Sequence, residues 1–126
     1  MRSHPLKGYR LLLVEDEYFI ASDIFTLLEQ AGATVLGPVS DVERATEIAE
    51  AAAPRFDVAI LDVNLDGEHV FPAAHKLQAQ HIPFIFVTGY DRLDMPAAFK
   101  DVPCLRKPFQ DSSLIDGLCR LIDRCG

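Results

Sequence analysis

At 126 residues the chain is long enough for one full hydrophobic core and too short for two ordinary domains. Apolar residues make up 49% and charged residues 25%, which is a globular composition with nothing disordered or repetitive about it. The formal net charge of -7 argues against a nucleic-acid partner, because phosphate backbones are bound by clusters of Lys and Arg; a cation or a basic protein surface fits better. No apolar run approaches the roughly 18 residues of a membrane span, and Met1 to Gly8 contains no apolar stretch of signal-peptide length. The expectation is a cytoplasmic protein with no membrane partner. The 3 cysteines, Cys104, Cys119 and Cys125, have no metal-ligand spacing and read as reduced thiols. His69, His75 and His81 recur at a step that turns a helix by about 240°, so they share no face on which to hold a metal.

Along the chain, Tyr9 to Val14 is an apolar run ending in Glu15-Asp16-Glu17, the pattern of a buried strand that delivers acids to its carboxyl end. Ile20, Ile24, Leu27, Leu28 and Ala31 fall at helical spacing between Tyr18 and Ala31, and Gly32 is placed to end that helix. Thr34 to Val39 is a second strand, and its Gly37-Pro38 pair points to a sheet edge because proline cannot donate to an interior ladder. Ser40 and Glu43 form a capping box for a helix from Asp41 to Ala53, which stops at Pro54.

Val58-Ala-Ile-Leu-Asp62 is the stretch around which the rest is arranged. Its consecutive apolar residues suit a central strand buried on both faces, and Asp62 stands at the strand's end, where α/β sheets place their ligand crevice. Asp62 is therefore the candidate reactive residue. A helix is expected from about Glu68 to Ala79, with Pro72 tolerable only near its first turn. Phe84 to Thr88 is a fourth strand. From Asp91 to Lys100 the helical signal is weak and few apolar residues remain to anchor the segment. Val102 to Pro108 is a fifth strand, and Leu114, Ile115, Leu118, Leu121, Ile122 and Cys125 mark a final helix. Strands alternating with helices at this spacing predict an α/β fold: a flavodoxin-like, doubly wound five-stranded parallel sheet, (βα)5, with helices on both faces.

A parallel sheet brings Glu15, Asp16, Asp62, Thr88 and Lys107 to one rim. Clustered carboxylates raise one another's pKa unless a cation neutralises them, and an oxygen-rich site of this kind suits Mg²⁺. Lys107 supplies further positive charge.

Taken in order, these residues resemble the receiver domain of bacterial two-component response regulators, over essentially the whole chain: residues 1-8 as an N-terminal extension and 9-126 as the receiver. The resemblance implies a phosphoprotein rather than an enzyme. Asp62 would be the phosphoacceptor, Asp16, Asp62 and the backbone carbonyl of Asn64 would bind Mg²⁺ directly, and Glu15 would act through water. Thr88 would be the switch hydroxyl and Lys107, followed by Pro108, the phosphate-pairing lysine. A histidine kinase or histidine phosphotransfer protein would donate the phosphoryl group, and a downstream protein would read it. The protein itself would be a monomer or weak homodimer. Receivers commonly carry an aromatic residue three positions before the lysine; here that position is Cys104, so a ring swing there is excluded. Phe86-Val87-Thr88-Gly89-Tyr90 instead resembles a subgroup with a Phe-Ala-Thr-Gly-hydrophobic-Tyr motif, although Val87 replaces Ala and Asp91 stands where Tyr would be. Signalling is then expected to leave through Thr88-Gly89-Tyr90 and the stretch 91-100. Because nothing follows Gly126, the expected output is protein contact or phosphate flow.

Two other readings compete. A haloacid-dehalogenase-like phosphatase also places an Asp nucleophile after a buried strand, but it normally has a second Asp two residues on, where this chain has Asn64. A receiver-like module that binds partners without being phosphorylated is the other.

Overall fold

The computed structural model describes residues 4-51, 56-89 and 95-122. In chain order the elements are β1 (Arg10–Val14), α1 (Tyr18–Gln30), β2 (Thr34–Val39), α2 (Val42–Ala49), β3 (Val58–Asp62), β4 (Asn64–Leu65), β5 (Glu68–His69), α3 (Phe71–Ala79), β6 (Phe84–Thr88), a single 3₁₀ turn (Ala97–Phe99), β7 (Cys104–Arg106) and α4 (Asp111–Ile122). Five strands form one parallel sheet in the order β2-β1-β3-β6-β7, while β4 and β5 make a separate antiparallel hairpin. This is the flavodoxin-like arrangement that the strand and helix spacing predicts. The order reverses at β1, so the crevice opens beyond the carboxyl ends of β1 and β3.

Continuous apolar runs make sense because both faces of the sheet are covered. Leu11, Leu13, Val58, Ile60, Ile85 and Val87 pack with Ile24 and Leu28 of α1 and with Leu114 and Leu118 of α4. The alternate residues Leu12, Val14, Ala59, Leu61, Phe84 and Phe86 pack with Ala45 and Ala49 of α2 and with Ala73 and Leu77 of α3. Each large side chain buried this way contributes about 1.5–3 kcal/mol, so the strand ends that carry the rim residues are firmly held. Leu6, ahead of β1, belongs to the first of these clusters, and its N–H donates to Ala31 O at 2.8 Å, tying residues 4-8 to the end of α1.

Four sequence expectations are corrected. The cap of α2 is Asp41 rather than Ser40: Asp41 Oδ1 accepts from Arg44 N–H at 2.7 Å, so the helix begins one residue later, and it ends at Ala49. The stop expected at Pro54 lies outside the described residues. The third helix starts at Phe71, with Pro72 in its first turn, because Glu68 and His69 are drawn into the hairpin. The fifth strand is shorter than expected, covering Cys104–Arg106. Finally, residues 91-94 lie outside the described residues, but 95-100, which include the short 3₁₀ turn, are anchored rather than loosely attached. Phe99 is 1% exposed and lies against Phe71, Phe84, Phe86 and His75, with ring centroids 4.6–6.0 Å apart.

The edge position expected for β2 is observed, and Gly37 is central to it. Leu12 pairs with Leu36 and Val14 with Val39, so Gly37 and Pro38 both stand opposite Leu13 in a bulge. Gly37 has φ +115°, and a Cβ there would lie 2.5 Å from Leu13 O. The bulge also places Val39 O to accept the Glu15 N–H at 2.9 Å, which fixes the first rim residue. Gly37→Ala is therefore expected to destabilise the protein by more than about 2 kcal/mol, through both backbone strain and the collision with β1. Urea unfolding measures this, and a loss below about 0.5 kcal/mol would show that β2 can retreat from β1 at little cost.

Candidate functional site

Five of the six residues singled out in the sequence end a strand or lie in the loop after one, Asn64 opens β4 just past β3, and the parallel sheet brings them to one rim. Glu15 follows β1 and is 1% exposed; its Oε2 accepts from Glu17 N–H at 3.2 Å. Its Oε1 lies 2.8 Å from Lys107 Nζ, a charge contact that is not aligned as a hydrogen bond. Asp16 is partly exposed, and its Oδ2 accepts from the N–H of Asp66 at 2.9 Å. Asp62 ends β3 and is 4% exposed; its Oδ1 accepts from Asn64 N–H at 3.2 Å, and Lys107 Nζ donates to its Oδ2 at 3.2 Å. Thr88 ends β6, is buried, and accepts the Lys107 N–H on its backbone oxygen at 2.7 Å, which anchors the lysine backbone after β7. Asp16, Glu17, Asp62, Asn64, Asp66 and Lys107 are among the residues lining a cleft of about 280 Å³.

The electrostatics follow from this packing. Burial is the main reason the Asp62 carboxyl is pushed up from 3.8 to about 7; the adjoining Glu15 raises it further, and Lys107 offsets only part of the rise. Burial alone would lower the Lys107 ammonium, but its contact with Glu15 and the attraction of Asp62 outweigh that, so it is held above its ordinary 10.5 and stays charged. One ammonium thus faces two buried carboxylates, and Asp16 adds a third acid.

One carboxylate oxygen from each of Glu15, Asp16 and Asp62 lies within 4.8 Å of the others. The donors are all hard oxygens and the charge is in excess, which fits a small divalent cation of the Mg²⁺ type better than a soft metal. Among the histidines set aside as ligands, His75 packs on Phe99 and His69 on Phe71, with centroids 4.6 and 5.2 Å apart.

Two contacts were not read from the sequence. The closest carboxylate to Lys107 is Glu15 rather than Asp62, and the Asp66 amide holds Asp16. The Asp66-Gly67 pair carries a hairpin signature that flags the second, but strands of two residues show no alternation to support it. Cys104, in place of the usual ring, is exposed and pairs in register with Phe86; Tyr90 and Asp91 lie outside the described residues.

The family model of the response regulator receiver domain matches residues 11–118, and the chain belongs to that family. Among curated relatives, the transcriptional regulatory protein PdtaR of Mycobacterium tuberculosis is 29% identical over 119 residues, covering 91% of this chain and 57% of that protein. The chain therefore spans little more than half the length of that relative. Among solved structures, SdrG from Sphingomonas melonis Fr1 is similar with a TM-score of 0.71 and 35% identity, over 99% of this chain and 98% of that one. The receiver domain of the sensor histidine kinase PA1611 from Pseudomonas aeruginosa PAO1, solved with a magnesium ion coordinated in its active site cleft, has a TM-score of 0.77 and 27% identity, over 92% of this chain and 98% of that one.

Proposed function

We propose that the chain is a phosphoacceptor of a two-component phosphorelay, in which Asp62 takes a phosphoryl group from a phosphohistidine of a histidine kinase or histidine phosphotransfer protein. The observation that carries this reading is the placement of Asp62 at the end of the central strand, in contact with the Lys107 ammonium and grouped with the acids Glu15 and Asp16. A carboxylate oxygen of Asp62 forms the new O–P bond as the N–P bond of the donor breaks, and the leaving imidazole takes up a proton. Little covalent assistance is needed, because the transition state spreads charge over its peripheral oxygens and is stabilised by fixed positive charge. Lys107 Nζ is within reach of those oxygens, since it already touches the carboxylate they will occupy. Thr88, at the end of the neighbouring strand, donates to the new phosphate once formed. Mg²⁺ would supply the remaining positive charge; Asp16, Asp62 and the Asn64 carbonyl would hold it, with Glu15 acting through water. Glu15 suits the indirect role because Lys107 already pairs with it.

The phosphorylated chain then acts by contact with a downstream protein or by passing its phosphate on. A groove of about 450 Å³ beside the cleft, with Ile20, Ile24, Leu27 and Phe109 on its walls, offers apolar surface to a phosphodonor, and Tyr18 and Phe19, at the start of α1, add exposed aromatic surface at 76% and 80% exposure. The receiver runs from residue 9 to 126 in this reading, with 1-8 as a short extension. Its setting is cytoplasmic, in keeping with a net charge of -7 and with the absence, among the described residues, of a helix long and apolar enough to cross a membrane.

The deciding experiment is intact-mass spectrometry after incubation with Mg²⁺ and a small phosphodonor. A phosphate-dependent mass increase that chelation prevents is expected; no uptake with any phosphodonor, alongside retained partner binding, would favour a module that acts by contact alone. The metal ligands are ranked by calorimetry. Asp16→Ala is expected to weaken Mg²⁺ binding by more than the roughly 10–100-fold typical of outer-shell positions, and Glu15→Gln to fall within that range. Equal affinities for both variants and the parent chain would refute the ligand assignment.

A further inference from the structure

We infer that the Asp66-Gly67 turn is a positioning element for the cation site, holding Asp16 and Asn64 in place through its backbone amides. The inference rests on the proposed reading of the acid rim. Asp66 and Gly67 have φ +51° and +90°, two successive left-handed residues of the kind that close a two-residue hairpin. In that conformation the Asp66 N–H donates to Asp16 Oδ2 at 2.9 Å and the Gly67 N–H to Asn64 Oδ1 at 3.0 Å. Asn64 in turn donates its own N–H to Asp62 Oδ1 at 3.2 Å. The tip thus braces all three groups assigned to direct cation contact.

The physical role follows from where these groups sit. Asp16 is only partly covered, and without the amide its side chain would be free to rotate away from two like charges. The Asp66 amide holds one Asp16 oxygen with a charge-assisted hydrogen bond and leaves the other for the cation. The base of the hairpin is pinned independently: Leu65 and Val70 are buried, and Val70 N–H donates to Val63 O at 2.8 Å. A change at the tip should therefore alter the cradle without unseating the hairpin.

Gly67 gives a clean probe of this. A Cβ built on it meets nothing within 4 Å, so a side chain there tests backbone conformation and no contact. Valine is strongly disfavoured at this φ, whereas asparagine adopts the left-handed region readily. With the full chain, Gly67→Val is expected to lower Mg²⁺ affinity by about tenfold in a calorimetric titration and to speed hydrogen exchange of the Asp66 amide. Gly67→Asn is expected to restore both towards the parent values, with Gly67→Ala between them should the valine variant fold poorly. A merely structural role would lower the melting temperature of the metal-free variants and leave the Mg²⁺ affinity of the folded protein unchanged; that result would overturn the turn's role while the reading of the site stands. If the parent chain itself binds no Mg²⁺, the reading and the inference both fall.

Discussion

Asp62→Asn is expected to abolish phosphoryl uptake, reducing labelling by a small phosphodonor in the presence of Mg²⁺ by at least about three orders of magnitude. The size of the effect comes from the absence of a substitute. Glu15 is 1% exposed and occupied by Lys107, so its oxygens cannot reach an incoming phosphoryl group without breaking the shortest ion pair of the site. Asp16 is more accessible but has one oxygen held by the Asp66 amide, whereas the lysine contacts Asp62. Asparagine keeps the size of the side chain and a carbonyl oxygen for Lys107, so the loss reports the nucleophile and not a collapse of the rim. The measurement is intact mass together with hydroxylamine sensitivity, which marks an acyl phosphate. Uptake at a rate comparable to the parent chain would move the phosphoacceptor elsewhere.

Much of this site is readable from the chain because two simple signals coincide. Leu11 to Val14 and Val58 to Leu61 are apolar at every position, which only a strand covered on both faces explains, and each run stops at an acid. Once those strands are parallel, Glu15, Asp16 and Asp62 must share a rim, and Thr88 and Lys107 reach it by the same rule. Local chemistry with two near-equal solutions is harder to read. Ser40 and Asp41 are both competent caps of nearly equal preference, and it is Asp41 that accepts the Arg44 N–H. Glu68 and His69 suit the first turn of a helix as well as a strand, and only the Asp66-Gly67 turn, braced by Asp16 from fifty residues earlier, decides between them. Phe99 is illegible for a related reason. A single aromatic residue in a Pro-broken segment carries no periodicity, yet it is buried among Phe71, Phe84 and Phe86, contributed by elements up to 28 residues away. The ring expected by the family on β7 and missing at Cys104 is thus not the means by which this segment is held; the anchor comes from the α3 side of the sheet.

The same excess of charge predicts how the metal-free protein responds to pH. The Asp62 carboxyl rises from 3.8 to about 7 on folding, chiefly through burial and then through Glu15. Between those two values the native state binds a proton that the unfolded chain does not, so stability must fall as pH rises through this window. The contribution is complete below about pH 4 and gone above about pH 7, the reverse of an ordinary salt-bridged carboxylate. A shift of this size amounts to at most about 4 kcal/mol. Asn at position 62 removes the titration, so the useful quantity is the difference between the parent chain and Asp62→Asn across urea unfolding curves taken with a chelator. Below about pH 3.5 the two should be close; by pH 8 the variant should be the more stable by about 2–4 kcal/mol, because it no longer buries a third negative charge against Glu15 and Asp16. Mg²⁺ at pH 8 should return most of that stability to the parent chain and little to the variant, since only the former offers the full set of carboxylates. Parallel curves at every pH would mean that Lys107 alone neutralises the rim, and the case for a cation among these acids would lose its electrostatic basis.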